Sequence, residues 1–232
     1  MVQRLSQTRL SNRQAGNAMI YVLIIIALFA ALSFVLSRQG SNSESSTLST
    51  QQTEIYSTQI LQTAMQIKQA VDSVLYSGSG TTLDTLDFTL PSDPGFDNAP
   101  TVHKVFHPDG GGVTMPLLPA DATTPAANPA PGWYLGRFNN VEWTETAATD
   151  VILTAYHIAQ PICQRIDQKL TGSTTIPVST TTLKNMLIPA SFFSGSNSDL
   201  TAAACSGCNG QPSMCVQDTD GSYSFYSVIE QR

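Results

Sequence analysis

The stretch AMIYVLIIIALFAALSFVL, residues 18–36, runs for nineteen residues without a charge. As a helix it would extend roughly 28 Å, close to one hydrocarbon core. Twelve of its residues are Leu, Ile, Val or Phe, which sums to about −4 to −7 kcal/mol of insertion free energy. The sequence therefore predicts an N-terminal transmembrane helix over 17–38. Arg4, Arg9 and Arg13 precede it with no acidic residue, while Arg38 and a polar run with Glu44 and Glu54 follow. That asymmetry assigns residues 1–16 to the cytoplasm as a basic leader. It puts everything beyond the single inner-membrane pass in the periplasm or outside the cell. A cleaved secretory signal would close a shorter apolar core on small residues. Here the run ends LSFVLSRQG, and no cysteine stands near it for a lipid anchor.

The junction Arg13-Gln14-Ala15-Gly16 followed by Asn17-Ala18-Met19-Ile20-Tyr21-Val22-Leu23-Ile24 resembles the start of type IV pilin-like proteins. The resemblance implies cutting after Gly16 by a prepilin peptidase, with Asn17 as the new N-terminus and the apolar helix kept as an assembly stem. Most major pilins carry Glu at the fifth mature position; here that position is Tyr21. The minor pseudopilin at the tip of type II secretion filaments also lacks this Glu, so the resemblance points to a minor rather than a repeating subunit. The implied partners are other pilin-like subunits through the N-terminal helix, the peptidase and the inner membrane. The match is confined to the leader and the apolar run.

Beyond the run, residues 39–80 read as a Ser-rich linker leading into an amphipathic helix. Ile60, Ala64, Ile67, Val71 and Val74 recur at steps of four and three, and Ser77-Gly78-Ser79-Gly80 ends the pattern. Residues 81–232 form the remaining domain. Nine prolines between 91 and 131 mark long loops, with short strands expected at Asp87–Leu90 and Val102–His107. Gly110-Gly111-Gly112 reads as a turn, since no Lys-Ser/Thr pair or helix follows to make a phosphate loop. Trp133–Trp143 reads as a hairpin around Asn139-Asn140. Thr149 or Asp150 would cap a helix with the stripe Val151, Ala155, Ile158, Ile162, Ile166 and Leu170, kinked or divided by Pro161 and ended by Gly172. A short helix is expected near Leu183–Leu187, and a C-terminal hairpin on Asp218-Thr219-Asp220-Gly221. The expected fold is α+β: a transmembrane helix continuing into an amphipathic helix, packed on a small antiparallel sheet with long loops and disulfides.

Cys163, Cys205, Cys208 and Cys215 are the only cysteines. In an exported domain an even, clustered set fits two disulfides, and four cysteines allow three pairings. Cys205-Ser206-Gly207-Cys208 also has the spacing of a redox pair, but Asn209-Gly210 and Pro212 follow it instead of a helix. Four thiolates could bind zinc, yet the spacing is irregular. His103, His107 and His157 lack carboxylate or Cys partners at ligand spacing. Asp218, Asp220 and Gly221 resemble only a fragment of a calcium loop. No nucleophile elbow or metalloprotease helix appears, so no catalytic residue, metal or cofactor is assigned and an enzyme is not expected.

Only 12% of the 232 residues are charged, and the formal charge of −6 argues against nucleic acid as a partner. The expected function is a structural minor subunit of a type IV pilus-like or type II secretion pseudopilus-like filament. The competing reading is a signal-anchored periplasmic protein that binds a ligand or partner and never assembles. A third is an anchored thiol oxidoreductase using Cys205 and Cys208.

Overall fold

The structure is a computed structural model that describes residues 21–29, 48–126 and 128–232. The chain divides into two compact units, Met1–Thr47 and Leu48–Arg232. In the first, residues 21–29 are helical (α1). The second begins with α2, Thr50–Tyr76.

The expected membrane-spanning helix running on into the amphipathic helix is corrected here. Among the described residues no helix is long and apolar enough to cross a membrane. Helix α2 starts on its own capping box. Ser49 is extended at φ −61°, ψ 152°. Its hydroxyl accepts from Gln52 N–H at 3.2 Å, and its own N–H donates to Gln52 Oε1 at 3.0 Å. Two of the four orphan donors at the helix start are thereby satisfied locally.

The anticipated stripe of α2 is the buried one: Ile60, Ala64, Ile67, Val71 and Val74 all lie inside. Gly78 turns left-handed at φ 78° just past the C-terminus. This face covers a four-stranded antiparallel sheet of order β1-β2-β4-β3. The strands are β1 (Gly132–Asn139), β2 (Asp150–Tyr156), β3 (Ser213–Gln217) and β4 (Tyr223–Glu230). A second helix, α3 (Gln160–Thr171), lies beside α2 on the same face. Glu54 on α2 ties the two helices by accepting from Arg165 and, at 2.6 Å, from Lys169. Hydrogen bonds from Lys169 and then Arg165 hold its carboxyl below the usual range.

The other face of the sheet is covered by the long excursion between α3 and β3, which carries α4 (Leu183–Leu187). Val151, Leu153, Phe225 and Ile229 therefore pack towards the helices. Ile152, Tyr226 and Val228 pack towards Leu183, Met186 and Leu200. Each fully buried Ile, Leu or Phe contributes roughly 1.5–3 kcal/mol. β2 and β4 are thus covered on both faces.

That double covering explains one correction. The segment expected to begin a long helix is a strand over 150–156, with every residue buried. Alternation disappears when both faces are apolar, and a short buried strand then looks like a buried helix. Only Gln160–Thr171 is helical, with Pro161 in its first turn and Gly172 left-handed at its end. Asp150 does not cap it. Its carboxylate accepts from Val141 N–H at 2.9 Å and the Thr144 hydroxyl at 3.0 Å, bracing the loop between β1 and β2.

The hairpin expected at Asn139-Asn140 is also absent; β1 pairs instead with β2. Asn139 is buried, and its amide donates to Asn185 O and Met186 O at 3.0 and 2.7 Å, so it anchors the far layer rather than turning the chain. The strands expected at 87–90 and 102–107 reduce to one parallel bridge, Asp87 to Lys104, beside a 3-10 turn at Thr101–His103. The triglycine is a turn, and for Gly110 and Gly111 the reason is contact. A Cβ on either would meet Lys104 O at 2.1 Å or Val105 O at 2.4 Å. The C-terminal hairpin forms as expected, although β4 lies inside the sheet, between β2 and β3.

Candidate functional site

The four cysteines form two disulfides, Cys163–Cys215 and Cys205–Cys208, and none is free. This excludes a four-thiolate zinc site in this structure. Cys163–Cys215 joins α3 to β3 on the helix-covered face, across 52 residues of chain. By loop-closure entropy a link of that span stabilises by about 4 kcal/mol. Cys205–Cys208 closes a 3-10 turn on the opposite face, with both residues fully buried. An inaccessible pair at a turn lacks the exposed thiol at a helix N-terminus that exchange chemistry uses.

One turn after Cys163, α3 carries Asp167, which the sequence reading passed over. It is fully buried. Its Oδ1 accepts from Cys215 N–H at 2.8 Å, while Oδ2 is buried with no partner. Burial pushes its carboxyl up to about 6, against the lowering effect of the Cys215 N–H. Disulfide and carboxylate thus fix the same residue of β3 by side chain and by backbone. The outer side of β3 is further closed by residues 177–179: Gln217 N–H donates to Pro177 O, and Ser179 N–H to Gln217 O, both at 2.8 Å. The only hint of Asp167 in the sequence is an acid beside Ile166 within the apolar pattern.

The other candidates are scattered. Gly16 and Asn17 lie outside the described residues, as does most of the apolar run. Tyr21 opens α1 as described, with its side chain exposed. His103 Nδ1 contacts the Thr81 hydroxyl at 2.6 Å, and His107 stands 3.5 Å from both Asp97 and Asp109. His157 lies apart, buried at φ 55° after β2; burial lowers its pKa despite Asp220 and Asp218 nearby. The three are not brought together, and no metal-ligating cluster of three occurs among the described residues. Asp218 belongs to the turn: its Oδ2 accepts from Leu183 N–H at 2.9 Å and its Oδ1 from Thr219 N–H at 2.6 Å.

Two clefts flank α2. The larger, about 680 Å³, lies between α2 and the end of α3 over β4, with Leu61, Met65, Leu170, Phe225 and Val228 on its walls. Lys68 stands at its rim, donating to Ile229 O and Glu230 at 3.0 Å and to Asp72 at 3.2 Å. The smaller, about 350 Å³, lies between α2 and the strap Pro116–Pro119 near Trp133. Both have the size of small-molecule pockets, but neither gathers convergent polar groups that would define a reaction. Lys104, also missed from sequence, is a structural cation: it is buried and donates to Gly95 O and Phe96 O at 2.5 and 2.7 Å.

No protein-family model, curated protein or solved structure matches the chain.

Proposed function

We propose that this chain is an exported structural subunit of a type IV pilin-like filament, of the minor, pseudopilin-like kind. Its apolar stretch 18–36 would serve as the assembly stem and residues 48–232 as the presented body. The observation that carries the reading is the order of parts. A basic leader ending in Gly16 and a charge-free run are followed by a 27-residue helix laid along an antiparallel sheet. Likeness of layout is an argument by analogy, and two further features support it. The body is closed by two disulfides, which fits an oxidising compartment outside the cytoplasm. Gln59, Gln62, Gln66 and Gln69 are exposed and uncharged along α2, the first three bordering the smaller cleft, and set up no charge repulsion towards a neighbouring subunit. Under this reading the partners are other pilin-like subunits and a prepilin peptidase, and Tyr21 at the fifth mature position fits a subunit that does not repeat.

A second reading, an exported protein that binds a ligand or partner without assembling, draws on the 680 Å³ cleft. N-terminal peptide and intact-mass spectrometry on protein recovered from cells separates the two. A chain beginning at Asn17, and accumulation of uncut protein on replacing Gly16 with Leu, is the expected result. A chain still beginning at Met1 would favour the second reading, and a start beyond Leu36 would remove the stem altogether.

A further inference from the structure

The hydrogen-bond phase of the sheet fixes what its free edge offers. Val228 N–H donates to Pro212 O and Asp218 N–H to Ser222 O, both at 2.8 Å. With the β3–β4 register, this turns the backbone of Ser224, Tyr226 and Val228 towards β3 and that of Phe225 and Ser227 towards β2. Carried through the β2–β4 and β1–β2 registers, the backbone of Gly132, Tyr134 and Gly136 bonds to β2. Trp133, Leu135 and Arg137 therefore point their N–H and C=O groups away from the sheet. None of these groups has a backbone partner among the described residues. All three residues are half-buried, with protein packed against the sheet on both faces.

We propose that this edge pairs with β1 of a second copy, antiparallel and centred on Leu135. The choice of occupant rests on self-complementarity. In that register Leu135 faces Leu135, and Trp133 faces Arg137 of the second copy, twice over. Tyr134 faces Gly136, so each tyrosine ring lies opposite a residue with no side chain to crowd it. The two arginines are kept apart, and each lies across from an indole, the arrangement that favours a guanidinium on an aromatic face. Arg137 keeps its ion pair with Asp84 meanwhile, because guanidinium edges and face are separate bonding surfaces. Three outward residues on each strand supply six inter-chain hydrogen bonds, and the bulge after Arg137 ends the pairing. No other charge lies on the strand. The result is one eight-stranded sheet with α2 and α3 of both copies on the same side. This inference does not depend on the filament reading.

The test uses the full chain in mild detergent. Sedimentation across a concentration series should show a monomer–dimer equilibrium. Leu135→Pro removes an outward N–H and no ladder bond, and should weaken the dimer about tenfold or more. Leu135→Cys places two thiols at the dyad, where facing Cα atoms of a hydrogen-bonded pair lie about 5.5 Å apart, within disulfide range. It should form a covalent dimer about tenfold faster than Leu117→Cys, which replaces a residue that is 93% exposed elsewhere on the surface. If Leu135→Pro does not fold, the cysteine pair decides alone. Cross-linking of Leu135→Cys no faster than Leu117→Cys overturns the proposal, whether or not the wild type dimerises. A monomer at every concentration overturns it too, and would leave the edge to an extended segment of another protein.

Discussion

At the β3 side of the sheet, the outward N–H of Cys215 ends on the Asp167 carboxylate and that of Gln217 on Pro177 O, with a disulfide behind them. At the β1 side, Trp133, Leu135 and Arg137 present the same kind of groups with no backbone partner among the described residues. An unpaired edge templates association, and proteins usually blunt it with charge, bulges or a covering loop. Here one edge is sealed by a carboxylate, a loop and a cross-link, whereas the other carries one neutralised arginine and a terminal bulge. The contrast teaches that closure follows chain connectivity. The long excursion from α3 returns past β3 and bonds to it, while the proline-rich approach to β1 makes no backbone hydrogen bond to its outward groups.

The contrast can be broken at the sealed edge first. Replacing Cys163 and Cys215 by Ala should cost about 4 kcal/mol in denaturant unfolding, and no change would mean the link is not formed. Val216→Pro deletes an N–H bonded within the β3–β4 ladder and should cost about 3 kcal/mol or more. Leu135→Pro, on the open side, should cost about 1 kcal/mol, mostly in lost side-chain packing. Equal costs would contradict the assigned phase.

Asp167 gives a pH test. Its folded carboxyl titrates near 6 and its unfolded one near the ordinary 3.8. The folded state therefore holds the proton longer, and this group's contribution to stability falls as pH rises from about 4 through 6. The shift corresponds to about 2–3 kcal/mol, fully expressed above pH 6. Asp167→Asn keeps an acceptor for Cys215 N–H and should flatten that slope while raising stability at neutral pH. The smallest effect is expected from Asp84→Asn at the open edge. Arg137 and Arg232 hold that exposed carboxyl below its usual range, yet thermal unfolding should barely move, because solvent screens such pairs.

The sequence announced the parts with a clear period or a specific turn: the α2 stripe, the Asp-Gly hairpin, the Pro161 break and the Gly172 stop. It misled where burial erased the period. VILTAY at 151–156 has apolar layers on both sides, so its strand character cannot show as alternation. Asn139 looked like a turn residue because a buried amide anchor and an exposed one share a letter. The disulfide pairing was open among three choices, and only the meeting of α3 with β3 resolves it. Asp167 was hidden for a related reason: its role is to satisfy a backbone group 48 residues further on. The residues singled out for processing, Gly16 and Asn17, fall outside the described residues, and their part in the proposal rests on the sequence.

Site-resolved hydrogen exchange on the full chain tests the two-edge account most directly. Amides of Cys215 and Gln217 should be protected at every protein concentration. Those of Trp133, Leu135 and Arg137 should exchange quickly when dilute and slow down as concentration rises. Protection of both sets in dilute protein, or free exchange of the β1 amides in concentrated protein, would contradict it.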